Sequence, residues 1–86
     1  MPADPILVGP EEEVAEVLDR IRQQSQSDVT LLVPPGAEVA SSRFSLQLLA
    51  VHTEELGKRV VIVSDDERVV GLAADCGLVA RSGAVH

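Results

Sequence analysis

The chain has almost no aromatic side chains: Phe44 stands alone, with no Trp or Tyr. That excludes an aromatic cage for cationic ligands and a stacking platform for nucleobases. Cys76 is the one cysteine, so no internal disulfide can form. Small secreted domains usually carry several cysteines, and a reducing, cytoplasmic setting is therefore expected. Met1-Pro2-Ala3-Asp4 lacks the basic region and apolar stretch of a secretory signal. No apolar run approaches the ~18 residues of a membrane span, so no membrane insertion is expected. Cations are scarce as well. Seven Lys and Arg against 14 Asp and Glu leave a formal charge of −7. Nucleic acid, whose phosphates demand a basic patch, is not an expected partner, nor is an anionic membrane surface.

Glycine-rich phosphate loops are also missing. Neither G-x-G-x-x-G nor G-x-x-x-x-G-K-[ST] occurs, so no nucleotide cofactor is expected, and no other cofactor is called for. What is present suits one small globular domain spanning residues 1–86. Hydrophobic residues make up 45% of the chain, chiefly Val, Leu, Ile and Ala, within the ordinary globular range. The end of the chain soon after the last apolar segment fits one module of a longer polypeptide.

The hydrophobic pattern alternates between strand and helix. Residues 6–8 form a short apolar run between Pro5 and Gly9-Pro10, which predicts a brief edge strand. Pro10 suits the first helical position, and Glu11, Glu12 and Glu13 suit the positive end of a helix dipole. Val14, Val17, Leu18 and Ile21 then lie on one stripe, predicting an amphipathic helix from 11 to about 24. Residues 29–33 are β-rich without clean alternation, which predicts a strand covered on both faces. A loop from Pro34 leads to Ser41 and Ser42, N-cap candidates for a helix with Leu46, Leu49, Ala50 and Thr53 inward and Gly57 at its end. Residues 60–63 predict a third strand. Ser64 or Asp65 then caps a helix whose inner face is Val69, Leu72, Ala73 and Cys76, and 78–80 form a last strand before a frayed tail, 82–86. The expected fold is α/β: a small four-stranded, mainly parallel sheet with three helices in β-α-β-α-β-α-β order, half of a Rossmann-like or flavodoxin-like layout, with helices on both faces.

In such sheets ligands gather where strands turn into helices. The first and third turns are acidic and repel phosphate. Ser41, Ser42 and Arg43 combine two hydroxyls, free N–H groups and a cation, making a candidate anion-binding or phosphorylation site; helix capping alone also accounts for the serines. Glu11, Asp65 and Asp66 are candidate Mg²⁺ ligands, with dipole stabilisation of helix starts as the plain alternative. Asp65 holds the place of a receiver-domain phospho-acceptor, but no later strand supplies the companion lysine. Cys76 is expected to be a buried structural thiol, and His52 a surface side chain. No nucleophile–base pair accompanies any of them.

From Asp28 onward the chain is similar to a small α/β module near the N-terminus of bacterial multidomain proteins without assigned function. The resemblance rests on a proline-containing loop, a Leu-rich helix, Leu56-Gly57-Lys58-Arg59, and a strand ending in Ser64-Asp65-Asp66. The chain also resembles the sulfate-transporter/anti-sigma-antagonist (STAS) domain, with Ser41-Ser42 matching its phosphorylatable serine region; Ala40 and Arg43 stand where that family carries Asp and Gly. These features imply a non-catalytic interaction or regulatory domain, with a protein partner or self-association. Two alternatives carry other functions: a phosphoserine-switched binding domain, as the STAS resemblance implies, and a Mg²⁺-dependent enzyme resembling the Toprim fold.

Overall fold

A computed structural model describes residues 5–83; the terminal His86 lies outside them. The elements run β1 (Ile6–Leu7), α1 (Val14–Arg22), β2 (Asp28–Leu32), a 3₁₀ turn (Glu38–Ala40), α2 (Arg43–Glu55), β3 (Arg59–Ser64), α3 (Glu67–Asp75) and β4 (Val79–Ser82). All four strands form one sheet in the order β1-β2-β3-β4, and every pairing is parallel. The α/β fold expected from the sequence is therefore the observed one.

The strand order decides what the helices cover. Each crossover steps one strand further in the same direction. Crossovers of one hand, the rule for βαβ units, then place every helix on the same side of the sheet. The packing agrees: α1 lies against α2, and α2 against α3. Inward positions Ile6, Val29, Leu31, Val60 and Ile62 are buried with Val17, Ile21, Leu46, Leu49 and Ala73 from the helices. The expectation of helices on both faces is thus corrected. The strand order steps in one direction, so all three helices fall on one face, and Val-rich strands look alike whether one face or both are covered.

The helix stripes are those expected. Val17, Leu18 and Ile21 of α1, Leu46, Leu49 and Thr53 of α2, and Val69 and Ala73 of α3 are buried. Gly57 and Gly77 follow α2 and α3 with φ of +70° and +88°, a left-handed conformation that ends a helix at low cost in glycine.

The element ends differ in four places. Pro10 does not open α1. The Gly9 N–H donates to Glu12 Oε1 (2.7 Å), and the Pro10 carbonyl accepts from the Glu38 N–H (3.0 Å). This turn is held by its neighbours, and the helix begins only after Glu13. The loop after β2 contains an unexpected 3₁₀ turn, which buries Ala37 and Val39. Neither Ser64 nor Asp65 is the cap of α3. Asp66 is, with its Oδ1 accepting from the Arg68 N–H (3.0 Å), while Ser64 is still strand, fully buried, and accepts from the Asp66 N–H (3.1 Å). Ser82 is not tail: it pairs with Ser64, and the Gly83 N–H donates to the Ser64 carbonyl (3.0 Å).

Candidate functional site

Because all strands are parallel, the carboxyl ends of the four strands, and with them the three strand-to-helix turns, share one rim. The first turn is built around Glu12, whose carboxylate takes the Gly9 N–H and pairs with Arg20; the same guanidinium donates to the Leu7 carbonyl (3.0 Å). Glu12 therefore closes the turn and joins it to α1. Glu11 is exposed beside an open, acidic hollow of about 420 Å³ bounded by Gly9, Pro10, Glu12 and Glu16.

At the second turn, Ser41, Ser42 and Arg43 do not converge. The Ser41 hydroxyl donates to the Glu38 carbonyl (2.7 Å). Ser42 is the N-cap of α2, with Oγ accepting from the Ser45 N–H (3.2 Å). Arg43 extends instead to α3, where it meets Asp75 (3.5 Å). The structure does bring Ser41 to Asp66: both line a crevice of about 290 Å³ with Ala37, Arg68, Val69 and Leu72. The cation there, Arg68, is engaged with Asp66 at 3.7 Å. Asp65 is exposed. Among the described residues no three His, Cys, Asp or Glu side chains are close enough to share a metal ion, so Glu11, Asp65 and Asp66 are not gathered into such a group.

The rim lacks the feature that makes a ligand crevice in most open α/β sheets. Ligands lodge where strand order reverses, because the two flanking loops diverge to opposite faces there. An order of β1-β2-β3-β4 has no reversal. The expectation that ligands gather at the rim loses its geometric basis.

Two further candidates have structural surroundings. Cys76 is half-buried, and its thiol lies 3.6 Å from the Arg43 carbonyl. His52 is exposed and faces Glu55 at 3.5 Å. At the opposite end of the sheet, the Lys58 ammonium donates to the carbonyls of Gln24 (2.6 Å) and Gln26 (2.7 Å) and so fastens the loop between α1 and β2.

The feature that sequence reasoning missed is the uncovered side of the sheet. Register and side-chain alternation place three rows there. Leu7, Leu32, Val63 and Arg81 form one row; Thr30, Val61 and Val79 form the next; Asp28 and Arg59 form the last. Leu7 and Val79 are each 50% exposed, whereas Ile6 one residue from Leu7 is 4% exposed. All-parallel sheets occur almost only with both faces covered, so a bare apolar face on one is unusual. Its charge also departs from the rest of the chain. Arg59 and Arg81 against Asp28 leave this face positive on a protein of formal charge −7. A signal for it was present. The outward sets Asp28-Thr30-Leu32 and Arg59-Val61-Val63 each begin with a charge, whereas the inward sets begin with Val29 and Val60.

Together these features define a class: a small, all-parallel α/β domain with helices on one face and an apolar sheet surface on the other. No protein-family model, curated protein or solved structure matches the chain. Among the described residues no helix is long and apolar enough to cross a membrane.

Proposed function

We propose that this chain is a non-catalytic interaction domain that docks protein through the open face of its sheet. The observation that carries this reading is the uncovered row of Leu7, Leu32 and Val63 beside Thr30, Val61 and Val79. Removing such a surface from water is worth about 25 cal/mol per Å² of apolar area, which is a driving force for association. The absence of a strand-order reversal is consistent with a domain whose working surface is its sheet face. The bacterial-module resemblance fits the same role within a larger assembly.

The test places a photo-crosslinking residue at Val79, on the open face, or at Val51, which is equally exposed on α2. Adducts in bacterial cells are expected from position 79 and much less from 51, and their absence from 79 refutes the reading. So does hydrolysis of nucleotides or phosphoesters by the purified protein, if Asp65→Ala with Asp66→Ala abolishes it.

A phosphoserine-switched binding domain is the second reading. One observation favours it: Ser42 is exposed at the head of a 13-residue helix, where a phosphate would meet free N–H groups. It requires Ser42→Asp to alter partner affinity while leaving the fold intact.

A further inference from the structure

The open face has an identifiable complement, and it is its own copy. This inference rests on the docking reading above. Two requirements must be met together: the apolar rows must be covered, and Asp28 and Arg59 must not be driven into apolar surroundings, which is costly for an unpaired charge. Asp28 and Arg59 are register partners on β2 and β3, yet they form no ion pair with each other, and among the described residues neither side chain has a hydrogen-bonding or ionic partner. Both remain available to a facing surface.

We propose that two copies of this chain pack sheet against sheet about a two-fold axis parallel to the strands, so that Asp28 of each copy faces Arg59 of the other. The geometry follows from strand order. Such an axis, passing between β2 and β3, sets β2 over β3 and β1 over β4 while keeping like ends together. Leu32 then faces Val63 of the second copy, and Thr30 faces Val61. Leu7 faces Arg81, whose aliphatic stem covers it while the guanidinium reaches solvent at the edge. The pairing of Asp28 with Arg59 occurs twice. A two-fold axis across the strands does the opposite: it sets Asp28 over Leu32 and Arg59 over Val63, burying charge against hydrocarbon. Docking the face onto another copy's helices leaves that copy's sheet still bare and propagates as an open chain, whereas the face-to-face arrangement closes with both sheets covered.

The face is small. Four strands ~4.8 Å apart and four residue steps of ~3.3 Å give a patch of roughly 19 by 13 Å in plan. That is well below the ~800 Å² per partner of a standard stable interface, so the dimer is weak and forms with rising concentration.

Sedimentation equilibrium of the full chain from about 1 µM to 1 mM provides the test. The wild type shifts from monomer toward dimer over that range. Val61→Thr with Val63→Thr, which keeps β-branching but removes apolar surface, raises the dissociation constant at least ~10-fold. Asp28→Arg alone and Arg59→Asp alone are monomeric, because each sets like charges face to face. An equimolar mixture of those two variants regains dimer, since both facing positions of the first variant are then cationic and both of the second are anionic. Circular dichroism checks that each variant is folded. Should a charge reversal unfold the chain, Asp28→Asn and Arg59→Gln replace it, each weakening the dimer several-fold. A wild type monomeric at 1 mM overturns the proposal, as does dimerisation indifferent to residues 28 and 59, the result expected of edge-to-edge strand pairing. A monomeric wild type leaves the docking reading standing, because adducts at Val79 decide that separately.

Discussion

The two faces of this sheet share the same aliphatic residue types in the same strands, and those residues behave as different materials. On the inner face Leu31 and Ile62 are fully buried beneath α1, α2 and α3. On the outer face their sequence neighbours Leu32, Val61 and Val63 keep part of their surface in water, and Leu7 and Val79 keep half. A β-branched side chain suits a pleated surface whether or not a second layer lies above it. Burial is therefore a property of topology here. One step in the strand changes a residue from an element of the core to an element of the binding surface.

Matched substitutions on the two faces separate their contributions most directly. Ile62→Ala on the inner face opens a cavity in a close-packed layer, and a loss of about 2–5 kcal/mol is expected in urea denaturation. Val61→Thr, one residue away on the outer face, is expected to change stability by less than about 1 kcal/mol while weakening association. Equal losses at the two positions would show that both faces are covered.

A smaller effect separates the buried hydroxyl from the exposed one. Ser64→Ala removes the acceptor of the Asp66 N–H at a site with no solvent access, and about 1–3 kcal/mol is expected to be lost. Ser42→Ala removes the cap of α2 at an exposed site and should cost about 1 kcal/mol. Denaturation midpoints of the two variants, measured side by side, give the order. The smallest change is expected for Ser42→Asp: aspartate is as good a cap as serine, so the thermal midpoint should stay close to wild type.

The candidate residues at the rim show why a site is harder to read than a fold. Ser41, Ser42 and Arg43 are consecutive, but one bonds back into the 3₁₀ turn, one caps α2 and one crosses to α3. Sequence adjacency at a loop-to-helix junction does not produce convergence, because each backbone step points its side chain elsewhere. Glu12 shows the reverse. Within a run of three glutamates nothing marks it, yet it alone is held between the Gly9 N–H and Arg20. That role depends on how closely the first turn approaches α1, which only the folded chain specifies.

The open face was concealed for a related reason. Val60-Val61-Ile62-Val63 has no polar residue between its ends, and an uninterrupted apolar run suggests burial on both sides. Two of the three charges that distinguish the outer face, Asp28 and Arg59, lie at strand starts, where they pass for ordinary loop residues. Read with a period of two they mark the outward set, but the period is visible only once both strand boundaries are known.

Local patterning alone determined the order of elements, the inward stripe of each helix and the glycine stops at 57 and 77, because these depend on side-chain period and backbone conformation within a few residues. Tertiary structure decided the rest: that successive strands are laid down in one direction, that all three helices therefore lie on one side, and that an apolar surface remains uncovered on the other. Strand order is a relation between segments separated by tens of residues, and a parallel crossover can step either way along a sheet without altering any local pattern.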